Sequence, residues 1–149
     1  MDLIGVSARR PPTVKSLVAR IRPQLLGCGF AAVTTQGPVV HKTLVSTALT
    51  RTFVRLAKQL YTAGSFQHLI IAGGATAAAV LQELAWTQFE VVHVWGPGVV
   101  TLQPTTAPGF AVTMKPGSYP WPASLRCQLD PGQASSLHDQ PSPRYTYAG

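Results

Sequence analysis

The chain has 149 residues, 46% of them hydrophobic, and a mean hydropathy of +0.17. A chain of this length forms one domain with a core of its own, and this composition excludes global disorder. No apolar run approaches the ~18 residues that a membrane-spanning helix needs, so no membrane partner is expected.

The charge is strongly positive, because 12 Lys and Arg residues face 5 Asp and Glu residues, which gives a formal net charge of +7. Nine of the basic residues lie between Arg9 and Lys58. We consider three interpretations of this charge, in order of preference: a solvated surface, a positive field that attracts phosphate, and a surface that binds nucleic acid. The third interpretation ranks last because no basic cluster alternates with aromatic residues and no RNA-binding signature is present.

The two cysteines, Cys28 and Cys127, are far apart in the sequence and fit no metal-ligand spacing, so no metal site is expected. They predict reduced thiols in a cytoplasmic protein. The N-terminus is Arg-rich and acid-poor, which is a slight similarity to an organellar transit peptide. However, Pro11, Pro12 and Pro23 are expected to interrupt any long amphipathic helix there. No secretory apolar region is present, and a cytoplasmic protein remains the expectation.

The first half of the chain predicts two strands, each followed by a helix. Apolar residues recur at helical spacing in both helices, and Val39 to Lys42 remain ambiguous. In chain order the elements are a strand at Leu3 to Val6, a helix opened by Pro12-Thr13 and ended by Gly27 and Gly29, a strand at Phe30 to Thr34, and a helix from about Leu44 to Tyr61.

A buried strand, a glycine pair and an alanine-rich helix follow. Leu69 to Ala72 are continuously apolar, which predicts a strand covered on both faces. Gly73 and Gly74 end this strand, and a helix is predicted from Ala77 to Leu84. The hydroxyl of Thr76 is expected to cap the first helical turn.

Such a strand–glycine–helix turn is a physically suitable place for phosphate. The first amides of a helix lack internal partners, and the helix dipole adds partial positive charge there. Glycines also remove the side chains that would hold an anion away. A plain tight turn explains the same pattern in many α/β proteins, so this turn alone does not establish a site.

The remaining elements predict an α/β fold, namely a three-layer domain with a mostly parallel sheet flanked by helices. We place this domain at residues 1–125 and expect a disordered tail at 126–149, which is rich in Pro, Ser, Gln and Gly. The elements are a strand at Phe89 to Trp95, a turn at Gly96-Pro97-Gly98-Val99, a short edge strand at Val100 to Leu102, and a strand at Phe110 to Met114.

Three segments in order now suggest a family: Gly73-Gly74-Ala75-Thr76, Gly96-Pro97-Gly98-Val99 and Lys115-Pro116-Gly117-Ser118-Tyr119. Together they resemble the C-terminal nucleotide-binding domain of the four-carbon acid sugar kinases, over residues 34–119. The resemblance implies an ATP-dependent kinase, with Mg²⁺ accompanying ATP, that phosphorylates the terminal hydroxyl of acids such as erythronate, threonate and their oxo forms.

The resemblance also implies which residues contact the nucleotide: Gly73, Gly74, Ala75, Thr76, Lys115 and Gly117. Lys115 either points its ammonium toward phosphate or simply closes a strand, and Thr76 is interpreted as a helix cap rather than a magnesium ligand. His68 and His93 fall in strand patterns and are interpreted as structural histidines. No catalytic residue is identified.

Departures from the family pattern point to an incomplete enzyme. Ala75 replaces the acidic residue of the glycine turn, and Pro120-Trp121-Pro122 stands where the family's second loop closes on glycine. Ser7 is a poor counterpart of the family's earlier serine loop. The family's kinases also carry an N-terminal domain with the sugar-acid site. We therefore expect the chain to need a separate N-terminal domain or subunit and to be inactive by itself.

Two alternatives stay open. The chain could be a non-catalytic remnant that acts as an interaction domain, or a basic module that binds anions or nucleic acid. A dinucleotide-binding unit is less consistent with the sequence, because neither G-x-G-x-x-G after the first strand nor a P-loop is present.

Overall fold

The computed structural model describes residues 3–7, 12–36 and 43–125. The predicted tail at 126–149 and the ambiguous segment at 39–42 lie outside these residues. In chain order the elements are β1 (Leu3–Ser7), α1 (Val14–Cys28), β2 (Ala32–Gln36), α2 (Thr43–Thr62), β3 (His68–Ala72), α3 (Gly74–Glu83), β4 (Phe89–Gly96), β5 (Val99–Pro104) and β6 (Ala111–Lys115).

The strands form two sheets. One contains β1 and β2 in parallel, and the other has the order β3-β6-β5-β4. In the larger sheet β3 and β6 are parallel, whereas β5 is antiparallel to both of its neighbours. The predicted α/β class is confirmed, but the pairing within it is mixed, since the turns on either side of β5 are too short for a parallel crossover. The prediction that β5 is an edge strand is wrong, because it lies between β4 and β6.

Helix α1 lies where its sequence predicts, but Pro12 precedes it and Gly27 lies inside it. The Thr13 hydroxyl accepts a hydrogen bond of 3.2 Å from the Ser16 amide at the N-terminus, and Gly29 ends the helix in the left-handed conformation at φ 70°. Pro23 lies inside α1, so the expectation that it interrupts the helix is wrong.

Two hydrophobic cores share α2. Leu56 and Leu60 pack with the buried residues of β1 and α1, whereas Ala57 packs with α3 and the larger sheet. The second core also holds Trp86 and Val112, which are 3% and 0% exposed. Helix α2 is therefore apolar on two faces, and it joins the small sheet to the large one.

The outer strands of the larger sheet are partly exposed. In β3 only Ile71 is buried and Ala72 is exposed, so the prediction that Leu69 to Ala72 are covered on both faces is wrong for Ala72. At the opposite edge, β4 exposes three valines by 56–63%. No helix in the described part of the chain is long and apolar enough to cross a membrane.

Candidate functional site

The turn between β3 and α3 has the backbone that its glycines predict. Gly73 adopts φ 103° and ψ 119°, which favours glycine, and it is the residue that caps α3. The helix begins at Gly74, earlier than predicted, and no side chain caps it. The prediction that Thr76 is the cap is therefore wrong, because Thr76 lies inside the first turn, where its own amide is among those needing a partner.

The start of α3 leaves room for an anion. The amides of Gly74, Ala75 and Thr76 have no hydrogen-bond acceptor among residues 3–7, 12–36 and 43–125. A Cβ atom added to Gly74 would meet no other atom within 4 Å, and Ala75 is exposed. Three amides at the positive end of a helix thus lack a partner within the described residues, and the space at Gly74 beside them is open.

Parallel pairing brings the Lys115-to-Tyr119 segment beside this turn. Ala72 is the register partner of Lys115, and the Gly73 amide donates a hydrogen bond of 2.8 Å to the Lys115 carbonyl oxygen. Two motifs about 40 residues apart in sequence are therefore joined through the main chain at the carboxyl ends of neighbouring parallel strands, where open α/β sheets bind their ligands.

The Gly96-to-Val99 segment completes the cluster. It forms the turn of the β4–β5 hairpin, with Gly98 in the left-handed region at φ 73°. A Cβ atom on Gly98 would lie 3.3 Å from Cγ of Pro116 and 3.7 Å from Cε1 of Tyr119. All three motifs therefore meet at one end of the larger sheet.

The Lys115 ammonium points into its own loop. The residue is 6% exposed, and Nζ donates hydrogen bonds to the carbonyl oxygens of Pro116 at 2.8 Å, Gly117 at 3.3 Å and Tyr119 at 2.5 Å. Nζ also lies 5.1 Å from the ring centroid of Trp121. A direct contact of Lys115 with phosphate would require these bonds to break. Gly117 itself is exposed, with open space at its Cβ position.

A polar network crosses the sheet on the face opposite α3. Nε2 of His68 lies 2.8 Å from Oγ1 of Thr113, which lies 2.6 Å from Oγ1 of Thr101, and the indole of Trp95 donates to Thr101 at 2.7 Å. Although His68 as a whole residue is exposed, its imidazole is partly desolvated against the sheet, and this lowers the pKa of His68. The structural interpretation of His68 agrees with this bond. The sequence analysis did not identify the two buried threonines, Thr101 and Thr113. The only indication in the sequence was a hydroxyl-bearing residue within a predicted strand.

The remaining candidates lie apart from the glycine turn. Ser7 ends β1 in the smaller sheet, where it pairs with Gln36. Cys28 is exposed and free, Cys127 lies outside the described residues, and no group of three metal-ligating side chains occurs in the described ranges. A shallow groove of about 600 Å³, lined by Arg51, Arg55 and the start of α1, lies on the face of α2 away from α3.

The fold and the three converging loops define a nucleotide-binding α/β domain. Residues 7–119 match the family model described as "Nucleotide-binding C-terminal domain", and the chain belongs to that family. The resemblance stated from the motifs is thus confirmed, and the match begins well before residue 34. No functionally curated protein matches the chain significantly.

Solved structures with the same fold come from longer proteins. A Haemophilus influenzae protein of the DUF1537 family is 22% identical over 80% of this chain and 32% of its own, with a TM-score of 0.66. A protein described as a putative tRNA synthase from Salmonella typhimurium LT2 is 22% identical over 79% of this chain and 32% of its own, with a TM-score of 0.60.

A DUF1537 protein of Bordetella bronchiseptica, solved as a domain-swapped dimer with bound citrate, is 21% identical over 83% of this chain and 33% of its own, with a TM-score of 0.55. At these identities the likeness concerns the fold. The chain spans about a third of the length of the structures that it matches.

Proposed function

We propose that the chain is the ATP-binding part of a cytoplasmic kinase that phosphorylates four-carbon sugar acids. The observation that supports this most is the hydrogen bond between the Gly73 amide and the Lys115 carbonyl. It places the unpaired amides of α3 beside the Gly117 loop, so that one nucleotide can contact both. The nucleotide-binding family supports the ligand class.

In this proposal the chain positions ATP and neutralises charge. Phosphoryl transfer depends mainly on positioning and on stabilising negative charge that spreads over phosphate oxygens. The amides of Gly74, Ala75 and Thr76 would bind phosphate oxygens at the start of α3. The open space at Gly74 and Gly117 fits a ligand that approaches the backbone closely.

The described residues do not themselves fit a magnesium site. Ala75 has no carboxylate, and the acidic residues in the described ranges are Glu83, at the far end of α3, and Glu90, near the start of β4. Mg²⁺ usually binds to one or two carboxylates together with substrate phosphates. We therefore propose that Mg²⁺ enters with ATP and that its protein ligands belong to another domain.

We further propose that the acceptor acid is held by a partner domain or subunit. The matched structures are about three times as long as the part that this chain covers. The chain would then bind Mg-ATP without turning it over, and addition of the partner would restore transfer to the terminal hydroxyl of the acid.

A second candidate is a non-catalytic interaction domain. Two observations favour it, namely Ala75 in place of an acidic residue and the Lys115 ammonium directed into its own loop. This candidate predicts no binding of any nucleotide at millimolar concentration. A basic nucleic-acid module would instead show affinity for RNA or DNA that falls steeply with salt.

The decisive experiment is calorimetric titration of the chain with Mg-ATP, compared between wild type and Gly74→Val. The added side chain occupies open space, so we expect the fold to persist while the branched methyl groups block the approach of phosphate. Nucleotide binding should weaken by more than about tenfold, which corresponds to the loss of one or two charge-assisted hydrogen bonds.

Gly27→Val is the matched control. Gly27 is also helical and exposed, with no atom within 4 Å of its Cβ position, but it lies in α1 beside the smaller sheet. It should leave the affinity unchanged. Absence of binding in the wild type would contradict the kinase proposal. Equal affinity of Gly74→Val and Gly27→Val for Mg-ATP would indicate that the nucleotide does not bind at the glycine turn.

A further inference from the structure

Lys115 is a buried cation that has no carboxylate partner among residues 3–7, 12–36 and 43–125. It is 6% exposed, and its hydrogen bonds go to three carbonyl oxygens of residues 116–119. A buried ammonium is costly unless its protons are bonded, and a lysine has three donors. All three donors are satisfied by one short loop, so the loop and the cation stabilise each other.

These bonds determine which way the loop peptides face. In a planar trans peptide the N–H of one residue points opposite to the C=O of the residue before it, and the described residues contain no cis peptide. Because the carbonyls of Pro116 and Gly117 point toward Nζ, the amides of Gly117 and Ser118 point away from it. Neither amide has an acceptor in the described part of the chain.

Two successive outward amides in a turn are an arrangement with which backbone concavities bind anions in other phosphate loops. Gly117 is exposed and has no atom within 4 Å of its Cβ position, so a ligand can reach these amides. The loop that carries them adjoins the start of α3, because the Gly73 amide is bonded to the carbonyl of Lys115.

The ring of Trp121 also lies against the Lys115 ammonium. This half-buried ring has its centroid 5.1 Å from Nζ, within the range of a cation–π interaction. Pro120 and Pro122 restrict the backbone on both sides of the ring. The ring therefore shields the hydrogen bonds of Lys115 from water and keeps the ammonium inside the loop.

We propose that Lys115 is a positioning residue that turns the Gly117 and Ser118 amides outward to bind the anionic part of the nucleotide, without itself contacting phosphate. The ligand class rests on the proposed function, whereas the orientation of the amides does not. Lys115 thus shapes the loop and does not serve as a phosphate ligand.

The test compares Lys115→Met with wild type by ¹⁵N–¹H spectra and by calorimetry with Mg-ATP. In the absence of any nucleotide, the substitution should already shift the Gly117 and Ser118 amide resonances, because the carbonyls lose their common donor. The Kd for Mg-ATP should rise by roughly tenfold or more. In the wild type, Mg-ATP should shift these two amides and leave the Lys115 side-chain signals in place.

Lys58→Met is the matched control, because Lys58 forms an exposed ion pair with Glu83. It should change neither the two amides nor the Kd. If Lys115→Met does not fold, Trp121→Leu replaces it and should produce the same changes at smaller amplitude.

The outcomes separate the two proposals. Unchanged loop amides in nucleotide-free Lys115→Met, or a Lys115 side-chain signal that moves when Mg-ATP binds, would overturn the positioning role. A wild type that does not bind Mg-ATP would overturn the nucleotide function, while the shift of the amides in the variant would still test the role of Lys115 in the loop.

Discussion

Gly98 and Pro116 are in contact across two loops that are distant in the chain. A Cβ atom on Gly98 would lie 3.3 Å from Cγ and 3.5 Å from Cδ of Pro116. Gly98 also has a φ of 73°, so glycine is favoured there both by its backbone and by its neighbour. The β4–β5 turn therefore packs against and supports the loop at residues 115–119.

Gly98→Ala should consequently destabilise the protein by about 1–2 kcal/mol, which is the usual cost of a Cβ atom in the left-handed region. It should also weaken Mg-ATP binding, because Pro116 has to move. Urea unfolding and calorimetry would measure the two effects. Gly109→Ala, with no atom within 4 Å of its Cβ position, should leave the affinity unaltered. Wild-type affinity in Gly98→Ala would mean that the loop does not depend on this support.

Ala75→Glu should tighten Mg-ATP binding and weaken the binding of ATP without magnesium. Ala75 is exposed in the first turn of α3, where a carboxylate is favourable to the helix dipole, so the variant should fold. The carboxylate could then hold Mg²⁺ but would repel bare phosphate. Calorimetric titrations with ATP should show a higher affinity of the variant than of the wild type in the presence of magnesium, and a lower affinity in the presence of EDTA. The same change of affinity under both conditions would contradict a metal contact at this position.

The stability of the fold should fall as the pH is lowered through the range in which His68 titrates. Burial lowers the pKa of His68 below its ordinary value of 6.5. The unfolded chain therefore binds a proton at higher pH than the folded one, and stability is lost as the pH falls from about 6.5 toward the lowered pKa. Thermal unfolding between pH 7.5 and 5 would measure this loss. In His68→Gln this part of the pH dependence should disappear, and its persistence would assign the effect to another group.

Trp86→Ala should cost roughly 3–5 kcal/mol of unfolding free energy, as large aromatic deletions in a core do. Trp86 is 3% exposed, and its ring centroid lies 5.3 Å from that of Tyr61 and 5.9 Å from that of Phe110. Leu26→Ala is the control, because Leu26 is 86% exposed and should change stability by less than about 0.5 kcal/mol. Denaturant unfolding would compare them, and a loss below about 1 kcal/mol in Trp86→Ala would mean that the core closes over the missing ring.

Local chemistry predicted the positions of the helices and of the glycine turn, but not the inclusion of Pro23 in α1 or the cap of α3. The Thr13 cap, the left-handed Gly29 and the strand–glycine–helix pattern at Gly73 all depend on a few neighbouring residues. The three motifs of the family resemblance were recognised in the sequence for the same reason, since each is a short run of residues that includes Gly, Pro or Lys. Their convergence at one end of the sheet agrees with the family to which the chain belongs.

Long-range pairing could not be predicted in the same way. The pattern of apolar and polar residues in β5 does not show that its neighbours are β4 and β6, because strand pairing depends on contacts between distant segments of the chain. The burial of Lys115 has a similar cause. A lysine at the end of a strand is ordinarily solvated. The burial of Lys115 is explained by its hydrogen bonds to three carbonyl oxygens of residues 116–119 and by its contact with Trp121.

The two apolar faces of α2 also define where this protein can be divided. A fragment from Thr43 to Leu125 would retain the glycine turn and its core but would expose Leu56 and Leu60 to water. A complementary piece carrying β1, α1 and β2 presents the matching apolar surface. The fold therefore contains a natural boundary for fragment complementation, at which two separately synthesised peptides could reassemble around one shared helix.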